Sequence, residues 1–369
     1  MDIPLSRPDI TQAERDAVLE VLQTPNLSLG PKLPEFERLF AEYVGSRFAV
    51  AVNSGTSALH LCIRAINLQR GDEVITTPFS FIASSNCILF EGGKPVFVDI
   101  DPDTWNIDPG QVEAAITPKT RAILPVDVFG HVADMPKIRQ IAQKHGLRVI
   151  EDSCEALGAS LNGQKAGTFG DMGVFGFYPN KQITTGEGGM IVTNDDHVRE
   201  LTVSMRSQGR GSGSAWLSHE RLGYNYRLSD INCALGIAQI KRADEILANR
   251  RRSASYYLER LGSEKRVSTQ RPLPGSQVSW FVMVVRLSDE YGPQDRDRIL
   301  SALRQQGVGC SNYFPAIHLQ PFYTGQFGYR RGQFPVCEAL CDRTVALPFH
   351  GRLTEKEADF ACQAFRRLL

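Results

Sequence analysis

The stretch FAVAVNSGTSALHLCIRAI, residues 48–66, decides the fold. An apolar run of strand character (FAVAV) passes through a polar, glycine-bearing turn into SALHLCIRAI, which reads as a helix. Downstream the same alternation continues through EVITTP, KPVFVDI, RAILPVDVF, a helix near MPKIRQIAQKH, LRVIED and GMIVT, ending at Thr193. Short apolar runs alternating with helical patterns imply βαβ units, so a mostly parallel sheet buried on both faces is expected. Sites in such sheets gather at the carboxyl ends of strands. Residues 53–57, 77–81, 127–131 and 152–155 all directly follow strand-like runs and are expected to converge.

Three of the groups in this region form a chemical set. Lys181 lies in FYPNKQITTGEGGM (residues 177–190), Asp152 in VIEDSCEALG (149–158), and the turn NSGTSALH spans 53–60. A lysine can form a Schiff base with the aldehyde of pyridoxal phosphate (PLP). A carboxylate can keep the pyridine nitrogen protonated, and a glycine-bearing turn can seat the phosphate. No single part is specific: an Asp ending a strand is often only an N-cap, and N-S-G-T-S alone is an ordinary capping cluster. Their order, each after an apolar run, makes the set informative. Lys181 is also the only lysine between Lys165 and Lys241, and Gly186, Gly188 and Gly189 beside it let backbone approach a bound ring.

These segments, with SLGPKLPEFE, GDEVITTPFSFIAS, KPVFVDID, FGHVADM, GYNYRLSDINCALG and LPFHGRLTEKE, resemble the DegT/DnrJ/EryC1/StrS aminotransferase family along almost the whole chain. The resemblance implies the type I aminotransferase fold (PLP-dependent transferase-like), with a smaller C-terminal α/β domain. It implies that Lys181 carries the Schiff base and shuttles the proton, that Asp152 pairs with the pyridinium nitrogen, and that Gly55, Thr56 and Ser57 cradle the phosphate at a helix N-terminus. Phe81 matches an aromatic that stacks on the cofactor ring. Asn225 or Arg227, in GYNYRLSD, matches a group given to the phosphate of the neighbouring subunit, so a homodimer with shared active sites is expected.

Two positions depart from the family pattern. Glu155 stands where many relatives carry Gln or His near the cofactor's phenolic oxygen, and a carboxylate there repels a phenolate unless it is protonated or turned towards another cation. Gly176 stands where many relatives have a Ser hydroxyl on the phosphate. Towards the substrate, Tyr313 and His318 in YFPAIHLQPFY lie in a segment that covers the sugar in relatives, and Arg210, in the glycine-rich basic loop at 206–214, is a candidate for a nucleotide diphosphate.

Composition bounds the alternatives. Forty-one basic and 41 acidic residues give a formal charge of zero, which disfavours nucleic acid as a partner. The eight cysteines are scattered without a C-x-x-C pair, which reads as free thiols of a reducing compartment and no metal site. The N-terminal stretch has no signal-peptide pattern, and no apolar run reaches the roughly 18 residues of a membrane span, so a cytoplasmic protein off the membrane is expected. At 369 residues, two domains are the default, divided here as 1–248 (large, with an N-terminal helical segment) and 249–369 (small). Residues 228–261 read as one long helix.

The expected activity is transfer of an amino group from L-glutamate to a nucleotide-linked keto-deoxysugar, 4-keto over 3-keto, with pyridoxamine phosphate as the second cofactor form. The product would serve surface polysaccharide or glycoconjugate synthesis. The rivals are a keto-inositol (cyclitol) aminotransferase of aminoglycoside pathways and a noncatalytic regulatory homologue; a dehydratase branch that replaces this lysine with His is opposed by Lys181.

Overall fold

The computed structural model describes residues 1–211 and 218–369. Seven strands build the main sheet: β1 (Phe48–Val52), β2 (Glu73–Thr76), β3 (Lys94–Phe97), β4 (Thr120–Leu124), β5 (Arg148–Asp152), β6 (Met172–Gly176) and β7 (Gly189–Thr193). Their order is β1-β7-β6-β5-β4-β2-β3, and every pairing is parallel except the two made by β7. The sheet is therefore mostly parallel, as its apolar runs predict.

Alternate residues of one strand feed different cores. Val50 and Val52 of β1 pack with the helix Gly55–Ala65, whereas Ala49 and Ala51 pack with the helices Lys32–Val44 and Asp230–Lys241. Both faces are covered, which is the condition a parallel sheet requires. Each fully buried aliphatic or aromatic side chain contributes about 1.5–3 kcal/mol. On the second face Phe36, Phe40, Phe175 and Phe177 form an edge-to-face and tilted cluster with centroids 5.1–6.1 Å apart, anchoring the start of the lysine segment.

Strand β6, and the helix Ala83–Phe90 after β2, carry no clear signature in the sequence. In MGVFG two glycines dilute the apolar run, which lowers strand propensity. A Cβ at Gly173 would overlap the carbonyl oxygen of Gly167, so the strand keeps glycine for space.

The long helix expected over 228–261 is two helices, Asp230–Lys241 and Ala243–Leu261. They break at Arg242 (φ −106°, ψ 9°), with no Gly or Pro to mark the break. The Arg242 guanidinium instead reaches Glu14 (2.6 Å) and Asp9 (3.4 Å), contacts that only the tertiary fold supplies. The helix Ala243–Leu261 then bridges two cores: Ala243 and Ile246 belong to the sheet cluster, Ala254, Tyr257 and Leu261 to a second cluster. That second core lies on a three-stranded antiparallel sheet, β8 (Val267–Thr269), β9 (Met283–Leu287) and β10 (Thr344–Leu347), with helices Pro293–Gln305 and Glu355–Arg366. Ile3 joins it through a parallel bridge to Val308. Among the described residues no helix is long and apolar enough to cross a membrane, no cluster of metal-ligating side chains occurs, and all eight cysteines are free.

Candidate active site

Register places the site. Gly189 of β7 pairs with Val52 on one side and Gly176 on the other, while Asp152 pairs with Val174. The carboxyl ends of β1, β5 and β6 are thereby brought side by side, and the segments leaving them line a cavity of about 710 Å³. Gly55, Thr56, Phe81, Asp152, Glu155, Gly176, Lys181 and Tyr313 all face it. Residues 127–131 do not join them. Asp127 turns inward, accepting from Ser153 Oγ (2.7 Å) and Ala133 N (2.9 Å), and burial pushes its carboxyl well above the ordinary range.

The lysine segment is tied to Phe177, whose amide donates to Gly188 O (2.9 Å) and whose carbonyl accepts from Thr185 N (3.1 Å) and Thr184 Oγ1 (2.8 Å). From this closed loop Lys181 projects its Nζ to 3.5 Å from Glu155 Oε1 and 4.1 Å from the centroid of the Phe281 ring. The second Glu155 oxygen accepts from Phe129 N at 2.9 Å. Burial raises the Glu155 carboxyl above its ordinary value, opposed by the Lys181 charge and the Phe129 amide. Glu155 is thus turned towards a cation, the arrangement under which a carboxylate is tolerated at this position.

Asp152 is held at both oxygens: Oδ2 accepts from Ser84 Oγ (2.7 Å) and Oδ1 from Cys154 N (3.2 Å). Ser84 in turn meets Ser80 Oγ at 2.9 Å. Sequence reasoning did not single out Ser84, although it lies just past Phe81. Charge-assisted bonds of this kind fix where a cationic ring nitrogen would dock.

At the opposite end, Ser54 caps the helix Gly55–Ala65, its Oγ accepting from Ser57 N at 3.0 Å. The amides of Gly55 and Thr56 have no acceptor among the described residues and stand at the positive helix end. A Cβ on Gly55 would reach to 3.0 Å from Cys154 Sγ and 3.4 Å from Gly176 Cα, filling the floor of this cradle. Ser57, by contrast, is buried with its amide and hydroxyl both engaged by Ser54, and it does not line the cavity. Free amides at a helix start, an oriented carboxylate and a lysine amine within one cavity fit a phosphate, a protonated ring nitrogen and an aldehyde respectively.

The mouth is aromatic. Phe81 is 60% exposed and Tyr178 53% exposed, while Tyr313 stacks on Phe314 (4.9 Å, 9°). Tyr178, Asn180, Glu187, Phe281 and Asn312 also line the cavity. Tyr178 and Asn180 lie just before Lys181 and Asn312 precedes Tyr313, though none was singled out from sequence; Phe281 comes from distant sequence and had no local signal.

Four residues expected at the site fall elsewhere. His318 is a correction: it is 0% exposed, meets Glu338 Oε1 at 3.0 Å and packs edge-on to Phe334, so it belongs to the core and does not reach the cavity. Burial holds its imidazole below the ordinary value. Arg210 and Arg227 also lie outside the cavity lining, as does Asn225. Asn225 forms a bridge to Ser207, and Arg227 bridges Val52 and donates to Gln208 Oε1 at 2.6 Å. Burial, then the charges of Arg210 and Arg206, lower the affinity of the Arg227 guanidinium for its proton, so these cations form one group. Residues 212–214 of the expected basic loop lie outside the described residues.

Comparison with known proteins agrees with this geometry. The GDP-perosamine synthase of Caulobacter vibrioides is 39% identical, aligned over 100% of this chain and 98% of its own. Helicobacter pylori PseC, an aminotransferase involved in the biosynthesis of pseudoaminic acid, superposes with a TM-score of 0.95 at 29% identity, over 100% of this chain and 99% of its own. Spr1654 from Streptococcus pneumoniae, solved in a PMP form and a PLP form, superposes at 0.94 in both, at 27% and 28% identity and over 100% of this chain and 99% and 98% of its own. The model of the DegT/DnrJ/EryC1/StrS aminotransferase family matches residues 8–366, so the chain belongs to that family and is an aminotransferase by fold and lineage.

Proposed function

We propose that the chain transfers an amino group from L-glutamate to a nucleotide-linked keto-deoxysugar, the keto carbon being C4 in preference to C3, in surface polysaccharide or glycoconjugate synthesis. The observation that carries this reading is the meeting of Lys181, Asp152 and the unpartnered amides of Gly55 and Thr56 in one cavity, in a chain similar to a GDP-perosamine synthase. Pyridoxal phosphate, when bound, supplies the aldehyde that carries the amino group and the electron-poor ring that accepts the electron pair released at the substrate carbon.

The residues divide the work. Gly55 and Thr56 hold the phosphate with backbone N–H groups, Asp152 keeps a proton on the ring nitrogen, and Ser84 holds Asp152 in place. Lys181 Nζ would hold the cofactor and, once freed, carry the proton from the α-carbon of the amino donor to the cofactor's C4′. Glu155 receives the Lys181 charge at 3.5 Å when that amine is free. Phe81, 60% exposed at the mouth, offers its face to the ring, and Tyr313 borders the substrate side.

The active unit is a homodimer in which Asn225 or Arg227 of one copy completes the phosphate site of the other. The position of both outside their own cavity supports this arrangement. The two hydrophobic clusters joined by the helix Ala243–Leu261 support a division near residue 249. Eight free cysteines support a cytoplasmic setting.

The deciding experiment offers glutamate with 3-keto and 4-keto nucleotide sugars and a keto-inositol, reading products by mass spectrometry. Amination of the 4-keto nucleotide sugar with release of 2-oxoglutarate is expected. Amination of the keto-inositol alone would replace this reading by the cyclitol one.

A further inference from the structure

Arg250, in the middle of the helix Ala243–Leu261, is 3% exposed, yet no carboxylate among the described residues lies within ion-pair distance of it. Its partners are main-chain carbonyls: Nε donates to Trp280 O (2.8 Å), and Nη2 donates to Phe281 O (2.7 Å) and Asn180 O (3.3 Å). The guanidinium carbon lies 5.3 Å from the centroid of the Phe349 ring. Burial pushes this group down to about 10, so the charge is kept against a desolvation cost. A guanidinium offers five donors in a rigid fork, and a lysine ammonium on a flexible stem does not reproduce that geometry.

The acceptors share one property. Asn180 precedes Lys181, and Phe281 carries the ring that lies 4.1 Å from Lys181 Nζ. On the other side of the lysine, Gln182 Nε2 donates to Ser279 O at 3.1 Å and also to Glu155 O. Both flanks of Lys181 are therefore fastened to residues 279–281, and Arg250 fastens that segment and the lysine loop to a helix that spans two cores.

We propose that Arg250 is a positioning residue for Lys181, its guanidinium holding the lysine loop and the Phe281 ring in one mutual geometry. The inference rests on Lys181 being the amine that bonds the cofactor. Arg250 itself does not line the cavity, so loosening the fork misplaces the reacting amine without removing a lining side chain, which lowers turnover more than affinity.

The test uses full-length Arg250→Lys with bound PLP, reading melting temperature, kcat and KM for glutamate, and the pH midpoint of the cofactor's visible absorbance. A folded variant is expected to lose at least about tenfold in kcat with KM within about twofold, and to shift the absorbance midpoint. A lowered melting temperature with parental kcat and midpoint would make Arg250 merely structural and overturn the proposal. Phe281→Leu keeps the backbone carbonyls that Arg250 binds and removes the ring, so it serves where Arg250→Lys does not fold. It is expected to show the same kcat-selective loss, and parental kcat and midpoint would equally overturn the proposal. Lys181→Ala separates the two levels: a borohydride-fixed linkage surviving in it sinks the underlying reading, whereas its loss beside silent Arg250 and Phe281 variants sinks the Arg250 inference alone.

Discussion

Lys181 Nζ stands 3.5 Å from Glu155 Oε1, the two side chains meeting where the lysine loop passes the carboxyl end of β5. The pair places an acid with a burial-raised affinity for protons beside the amine proposed to bond the cofactor. A carboxyl whose folded value exceeds its unfolded value binds its proton more tightly in the folded protein. Its contribution is therefore present at low pH and lost as pH rises from the ordinary glutamate value through the folded one. Cofactor-free protein should accordingly lose melting temperature over that window relative to Glu155→Gln. Parallel curves for the two proteins would remove Glu155 from this role.

Lys181→Ala is expected to abolish the borohydride-fixed linkage to PLP and to lower turnover by about 10²–10⁴-fold through loss of the proton carrier. Mass spectrometry of the reduced, digested protein checks the linkage. A labelled peptide other than 177–190 would assign the chemistry to a different amine.

Ser84→Ala removes the hydroxyl that donates to Asp152 Oδ2 at 2.7 Å. A hydrogen bond to a buried charge contributes about 1.5–3 kcal/mol, so PLP should bind at least about tenfold more weakly, with Ser84→Thr restoring most of it. Equilibrium dialysis of the three proteins measures this directly, and equal affinities would exclude the contact from cofactor binding.

Two glycines in the same strand should behave oppositely. A Cβ at Gly176 meets Cys154 Sγ at 3.4 Å and Cys154 Cβ at 3.5 Å, ordinary contact distances, so Gly176→Ser should fold and add a donor to the phosphate. One further hydrogen bond is worth about 1 kcal/mol, or roughly fivefold in PLP affinity. Gly173→Ala instead drives a Cβ into Gly167 O and should destabilise by at least about 1–3 kcal/mol, read as a lower urea midpoint. Equal stability of the two variants would contradict this packing.

Arg227→Ala and Lys181→Ala, each expected to be strongly impaired alone, should complement when co-expressed. In a dimer with shared sites, random pairing leaves about a quarter of the sites intact. Activity at that level supports exchange of Arg227 between copies, and none would confine Arg227 to its own chain.

The sequence alone was enough for the sheet class and for the convergence of Lys181, Asp152 and the turn at Gly55 on one cavity, because each depends on local order. Apolar runs of strand length give a buried parallel sheet, and its topology delivers the residues that follow each run to one edge, so Gly55, Asp152 and Lys181 meet without further information. Strand β6 was not legible, because two glycines dilute its apolar run and the one at Gly173 answers a steric demand from the Gly167 carbonyl that only folding imposes. The break at Arg242 was equally hidden: no Gly or Pro marks it, and the guanidinium there meets Asp9 and Glu14, which are remote in the chain. His318 and Tyr313 looked alike in one segment, and only packing decided that the first fills the core against Glu338 while the second borders the cavity. Phe281 beneath the lysine and Arg250 behind it belong to the tertiary structure for the same reason: burial and hydrogen-bond geometry are set by neighbours remote in the chain, and local sequence carries no record of them.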